Sequence, residues 1–161
     1  MWKTLQAVKA LESKIGELYH CFADVFKHDT EAAALFSRLA RDEEKHCSII
    51  EFEIRLIMKD NDLALPVAVD QARIEREQQK VGDLLRCTGL SLAEAVAASF
   101  TLEQTATESY YRSAAVKEHP DLMGLVKRLG AGDRSHYNSL VRFGAARGFA
   151  PPPAWPFEQE L

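Results

Sequence analysis

Four acidic residues stand in the middle of apolar stripes that repeat at helical spacing, and this is what most restricts the folds open to the chain. Leu5, Val8, Glu12, Ile15, Tyr19, Phe22 and Phe26 follow one another at intervals of three or four, which draws one inward face of a helix with a carboxylate inside it. Phe36, Leu39, Glu43, His46, Ile50 and Ile57 draw a second. Leu92, Val96, Ser99, Glu103, Ala106 and Tyr110 draw a third, and Leu122, Val126, Leu129, Asp133, His136, Leu140 and Phe143 a fourth. A carboxylate in such a place is costly unless something neutralises it. The pattern therefore predicts four helices around a centre that holds its own compensation.

The order of these residues is repeated. Glu12 stands 31 residues before Glu43, and Glu103 stands 30 before Asp133. Glu43-x-x-His46 and Asp133-x-x-His136 each place an acid and an imidazole nearly one turn apart, on one helix face. Tyr19 and Tyr110 each lie seven residues after the glutamate of their own helix. That is about two turns, or roughly 10 Å, so each tyrosine can orient only a carboxylate supplied by the other half. The chain reads as two copies of one helical hairpin.

Four carboxylates and two imidazoles meeting in a core would cost several kcal/mol per buried ion. Two divalent cations cancel the charge by count. Oxygen and imidazole donors without thiolate suit iron or manganese better than a structural zinc site, although zinc stays possible. The expected ligands are Glu12, Glu43, His46, Glu103, Asp133 and His136, a set that matches dimetal carboxylate bundles.

Local signals set the boundaries. Asp29 or Thr30 offers an N-cap to the second helix, which runs to about Lys59. Residues 61–90 are weakly periodic, with a charged helical piece near 71–85, and read as the crossover between hairpins. Ser91-Leu92-Ala93-Glu94 is a capping box for the third helix, which is expected to end around His119-Pro120. Pro120 and Asp121 open the fourth. Gly130 and Gly132 weaken it by roughly 1 kcal/mol each and imply a local irregularity or a close helix contact beside Asp133. Residues 1–148 are thus expected to form an all-α, ferritin-like four-helix bundle. Residues 149–161, with Pro151, Pro152, Pro153 and Pro156 around Trp155, form a tail that cannot be helical.

Composition narrows the partners. A net charge of −4 and scattered Lys and Arg argue against nucleic acid. No uncharged apolar run approaches the roughly eighteen residues that span a bilayer, and the N-terminus has no apolar leader, so a cytoplasmic location without membrane contact is expected. Cys21, Cys47 and Cys87 form no Cys-x-x-Cys pair; they read as small buried residues of a reducing compartment.

With Glu12 through Tyr19, Glu43-x-x-His46, Glu103 through Tyr110 and Asp133-x-x-His136 in place, the chain resembles the rubrerythrin branch of the ferritin-like superfamily over about residues 4–147. The resemblance implies two iron ions on the six ligands, with Glu43 and Asp133 in bridging, catalytic positions. It implies reduction of peroxide, or oxidation of ferrous iron by peroxide or dioxygen, and a homodimer. The chain departs from the family's pattern in three places. It has no rubredoxin-type Cys-x-x-Cys pairs, so a separate electron donor such as a rubredoxin is expected. Ala106 stands where peroxidase members carry a further Glu, and Asp133 is one methylene shorter than the expected Glu. Two other classes fit the residues: an iron-binding or iron-handling protein without turnover, and a metal-free helical interaction protein.

Overall fold

The computed structural model describes residues 2–59, 71–111, 120–150 and 152, and the side chains of all these except 2–4, 57, 71, 106–111 and 120–122. Five helices account for nearly all of it: α1 (Trp2–Val25), α2 (Thr30–Lys59), α3 (Gln71–Arg86), α4 (Leu92–Tyr111) and α5 (Pro120–Ala146). No strand occurs among the described residues. α1 packs chiefly on α2 and α4 on α5, which makes the two hairpins, and α2 meets α5 across them. α3 lies along α1 and α4. The architecture is the all-α ferritin-like bundle that the duplicated stripes require.

The helix ends show why the chain stops and starts where it does. Asp29, rather than Thr30, caps α2: its Oδ1 accepts from the Ala32 N–H at 3.0 Å. At α4 the Ser91 N–H donates to Glu94 Oε2 at 2.8 Å and Ser91 Oγ accepts from the Glu94 N–H at 3.3 Å, so both arms of the capping box are made. α5 closes with Phe149 N–H on the Gly144 carbonyl at 2.9 Å and Gly148 N–H on Ala145 at 3.2 Å. Gly148 has φ 69°, the left-handed conformation this closure needs and that only glycine adopts without strain. Arg147, just before it, grips Asp29 and Glu31, which ties the end of α5 to the start of α2.

The core fills the predicted stripes. Leu5, Val8, Ile15, Tyr19, Phe22, Phe36, Leu39, Ile50, Val96, Val126, Leu129 and Leu140 are buried. Phe36 sits among Tyr19, Phe22 and Phe26 with ring centroids 5.2 to 6.1 Å apart, a separation suited to favourable aromatic contact. Among the described residues no helix is long and apolar enough to cross a membrane.

Three expectations need correction or completion. The charged piece of the crossover is a full helix, α3, and one face of it is buried through Ile74, Glu77 and Val81. Glu77 is accommodated because Lys80 Nζ and Thr105 Oγ1 donate to its two oxygens at 2.8 and 3.0 Å. Cys87 is exposed, because it follows the last residue of α3 in the turn to Gly89; Cys21 and Cys47 are half-buried. The expected end of the third helix near residue 119, and the tail beyond Pro152, lie outside the described residues.

Candidate metal centre

The six side chains singled out by the stripes are buried: Glu12, Glu43, His46, Glu103, Asp133 and His136. They assemble as two trios. Ligand atoms of Glu12, His46 and Asp133 lie within 4.8 Å of one another, and so do those of Glu43, Glu103 and His136. Each trio takes two residues from one hairpin and its third from the other. The trios therefore interlock rather than stand side by side in separate halves.

Both imidazoles turn Nδ1 inward. His46 Nδ1 lies 2.9 Å from Glu43 Oε2, 3.2 Å from Glu12 Oε2 and 3.9 Å from Asp133 Oδ1. His136 Nδ1 lies 3.1 Å from Glu43 Oε1 and 3.3 Å from Glu103 Oε2. Glu43 thus turns one oxygen to each histidine, and the rings face each other with centroids 5.4 Å apart. Helix contacts bring these groups together. Gly16 lets α1 approach α2 at the base of Glu43, whose Cβ would be 3.3 Å from any methyl placed on the glycine. Gly132 lets α5 approach His46, where a methyl would lie 2.2 Å from Nε2. Of the two outcomes expected at Gly132, the close helix contact is the one found.

Electrostatics point the same way. Burial and then the Glu12 charge push the Glu43 carboxyl up to about 8, and burial raises Asp133 well above its ordinary value. Burial alone would lower the histidines. Hydrogen bonds to Glu12 and Glu43 outweigh it and push His46 up to about 12, and the charge of Glu103 leads a similar rise of His136 to about 11. The cluster without metal holds protons to offset its own charge. One polar atom is left over: among the described residues, His136 Nδ1 is buried with no hydrogen-bond partner of acceptable geometry. Protons at the carboxylates and an orphaned imidazole nitrogen are what a divalent cation would replace and satisfy. The donor set therefore fits such ions.

The surrounding residues differ in how well the sequence foretold them. Tyr19 donates to Glu103 Oε1, from the opposite hairpin, as its seven-residue offset predicts. Burial, then the charges of Glu103 and Glu43, hold its phenol well above the ordinary value, so it remains a donor. The Tyr110 side chain lies outside the described residues. Asp42, which lies off the inward stripe of α2, places Oδ2 3.6 Å from His136 Nε2. Burial works against its ionisation, but the Lys45 hydrogen bond and the Lys45, His136 and His46 charges lower its carboxyl below the ordinary value. Cys47 donates weakly to the Lys9 carbonyl at 3.6 Å. Burial raises its thiol to about 11, which makes it a poor nucleophile.

Comparison with protein families decides the relationship: the rubrerythrin family model matches residues 3–143. The chain belongs to the rubrerythrin family. Nearly the whole described bundle, including all six clustered residues, falls inside the match. No curated protein and no solved structure matches the chain. Membership implies a dimetal carboxylate site, and in this chain the two buried trios are the carboxylate and histidine clusters able to form it.

Proposed function

We propose that the chain is a di-iron carboxylate oxidoreductase of rubrerythrin type that reduces peroxide, or oxidises ferrous iron with peroxide or dioxygen. The interlocked buried trios carry this reading. Glu12, His46 and Asp133 would hold one ion, and Glu43, Glu103 and His136 the other. Iron held by these residues would supply one-electron redox chemistry between its ferrous and ferric forms.

The chain's own residues supply position and dryness. Tyr19 fixes one oxygen of Glu103. Leu39, Ile50, Leu129 and Leu140, one to two turns from the ligands on α2 and α5, are buried and keep water out. Reduction of hydrogen peroxide to two waters takes up two electrons and two protons, and because carboxylates that hold an ion are deprotonated, those protons must reach the centre from the solvent side. Asp42, about one-third exposed, joins His136 to the solvent side. The electrons would come from a separate donor protein such as a rubredoxin. A homodimer fits the exposed Phe52 and Leu56, one turn apart on α2, and the free cysteines fit the cytoplasm.

A second reading, iron handling without turnover, draws on Ala106 and on the short Asp133. Peroxide consumption by iron-loaded protein with excess reductant tests both. Many turnovers per iron pair support the oxidoreductase; consumption that stops near one equivalent supports iron handling.

A further inference from the structure

This inference rests on the metal-centre reading and concerns how the two trios differ. The repeat gives each residue of one trio a counterpart in the other. The glutamates of the first hairpin helices behave alike, with Glu12 3.2 Å from His46 Nδ1 and Glu103 3.3 Å from His136 Nδ1. The other two counterparts do not. Glu43 Oε1 comes to 3.1 Å from His136 Nδ1, whereas the shorter Asp133 stops 3.9 Å from His46 Nδ1.

The residue before each of those acids also differs. Asp42 precedes Glu43 and stands behind His136, its Oδ2 3.6 Å from Nε2, an ion-pair rather than a hydrogen-bond separation. Gly132 precedes Asp133 and stands behind His46, where it offers only backbone. All three carboxylates paired with His46 face its Nδ1, and among the described residues none pairs with its Nε2. A carboxylate behind a ligating imidazole fixes its tautomer and raises its basicity, and its loss typically costs 10–100-fold in metal affinity.

We propose that the centre fills unequally: the Glu43, Glu103 and His136 trio takes the first divalent ion, and the Glu12, His46 and Asp133 trio holds the second more weakly. Gly132 is the determinant, because it removes the outer carboxylate and brings helix backbone against the ring. Asp42 is a positioning residue that acts through His136. Chemistry that needs both ions is then switched on by metal supply.

The test is anaerobic titration of the chelator-treated full chain with Co²⁺, followed by calorimetry and by the visible absorption of bound cobalt. Two steps of one ion per chain are expected, the first about 10-fold or more tighter than the second. Asp42→Asn should weaken the first step by about 10–100-fold and leave the second in place. Gly132→Ala, checked for helix content by circular dichroism, should lose the second step and keep the first. Asp42 is about one-third exposed and its change to Asn keeps its size, so its variant decides the matter even where Gly132→Ala does not fold. Two indistinguishable steps in the native chain, or an Asp42→Asn effect confined to the second, would overturn the inference alone. No cobalt uptake at all would overturn the metal-centre reading beneath it.

Discussion

Tyr19 on α1 and Glu103 on α4 are 84 residues apart, yet the phenol donates directly to Oε1 of the carboxylate. This bond joins the two hairpins at the centre itself. Tyr19→Phe should keep the ring's packing against Phe36 and remove the donor alone. The expected result is a loss of about 10–100-fold in metal affinity with helix content unchanged. Competition against a chromophoric chelator measures it, and affinity equal to the native chain would show that the hydroxyl does not orient the ligand.

Removing a ligand should separate metal content from folding. In Glu43→Ala or His46→Ala the charge to be compensated falls together with the capacity to bind. Purified variants should hold less metal by elemental analysis while their circular dichroism stays helical. Unfolding of both metal-free variants under conditions where metal-free native protein is folded would contradict this.

Acidity should act on the metal-free bundle in one direction. Glu43 is raised to about 8 from an ordinary carboxyl, and His46 and His136 to about 12 and 11 from an ordinary imidazole. From about pH 5 to pH 9 the folded state therefore binds more protons than the unfolded chain, and stability falls as pH rises, by about 1.4 kcal/mol per pH unit for each extra proton. Thermal unfolding across that window should show Tm decreasing in metal-free protein. Metal needs the deprotonated ligands, so its binding should release protons and tighten with pH. Calorimetry in buffers of different ionisation enthalpy reads the release directly.

The aromatic packing around Phe36 should matter to both fold and site. Phe36 is fully buried against Tyr19, Phe22 and Phe26. Phe36→Ala should cost about 3–5 kcal/mol in urea unfolding. It should also loosen Tyr19 and weaken metal binding in proportion to Tyr19→Phe; a stability loss below about 1 kcal/mol would mean the site collapses around the gap.

Much of this was legible in the sequence because burial and charge conflict so sharply there. An acid at mid-stripe, as at Glu12 or Glu103, announces both the inward face and the need for a cation. The capping box at Ser91 and the proline at 120 mark helix starts by chemistry that acts within three residues. What could not be read depends on contacts between distant elements. Asp42 sits in the run Arg41-Asp42-Glu43-Glu44-Lys45, where nothing distinguishes it from a solvated charge, and only the approach of α5 brings His136 to it. Glu77 hid in the weakly periodic crossover, since Lys80 one turn on marks it only as an ordinary helix ion pair and Thr105 reaches it only once α3 lies along α4. At Gly132 the sequence left two outcomes open, and the choice rests on where the His46 ring falls.

The interlocking of the trios has a consequence for synthesis. Asp133 completes one and His136 the other, and both belong to α5. A nascent chain that has already formed its first hairpin can offer an ion only partial coordination. Neither pocket closes until Asp133 and His136 have emerged from the ribosome and α5 has packed on the first hairpin, so the first hairpin alone cannot hold an ion as the folded centre would.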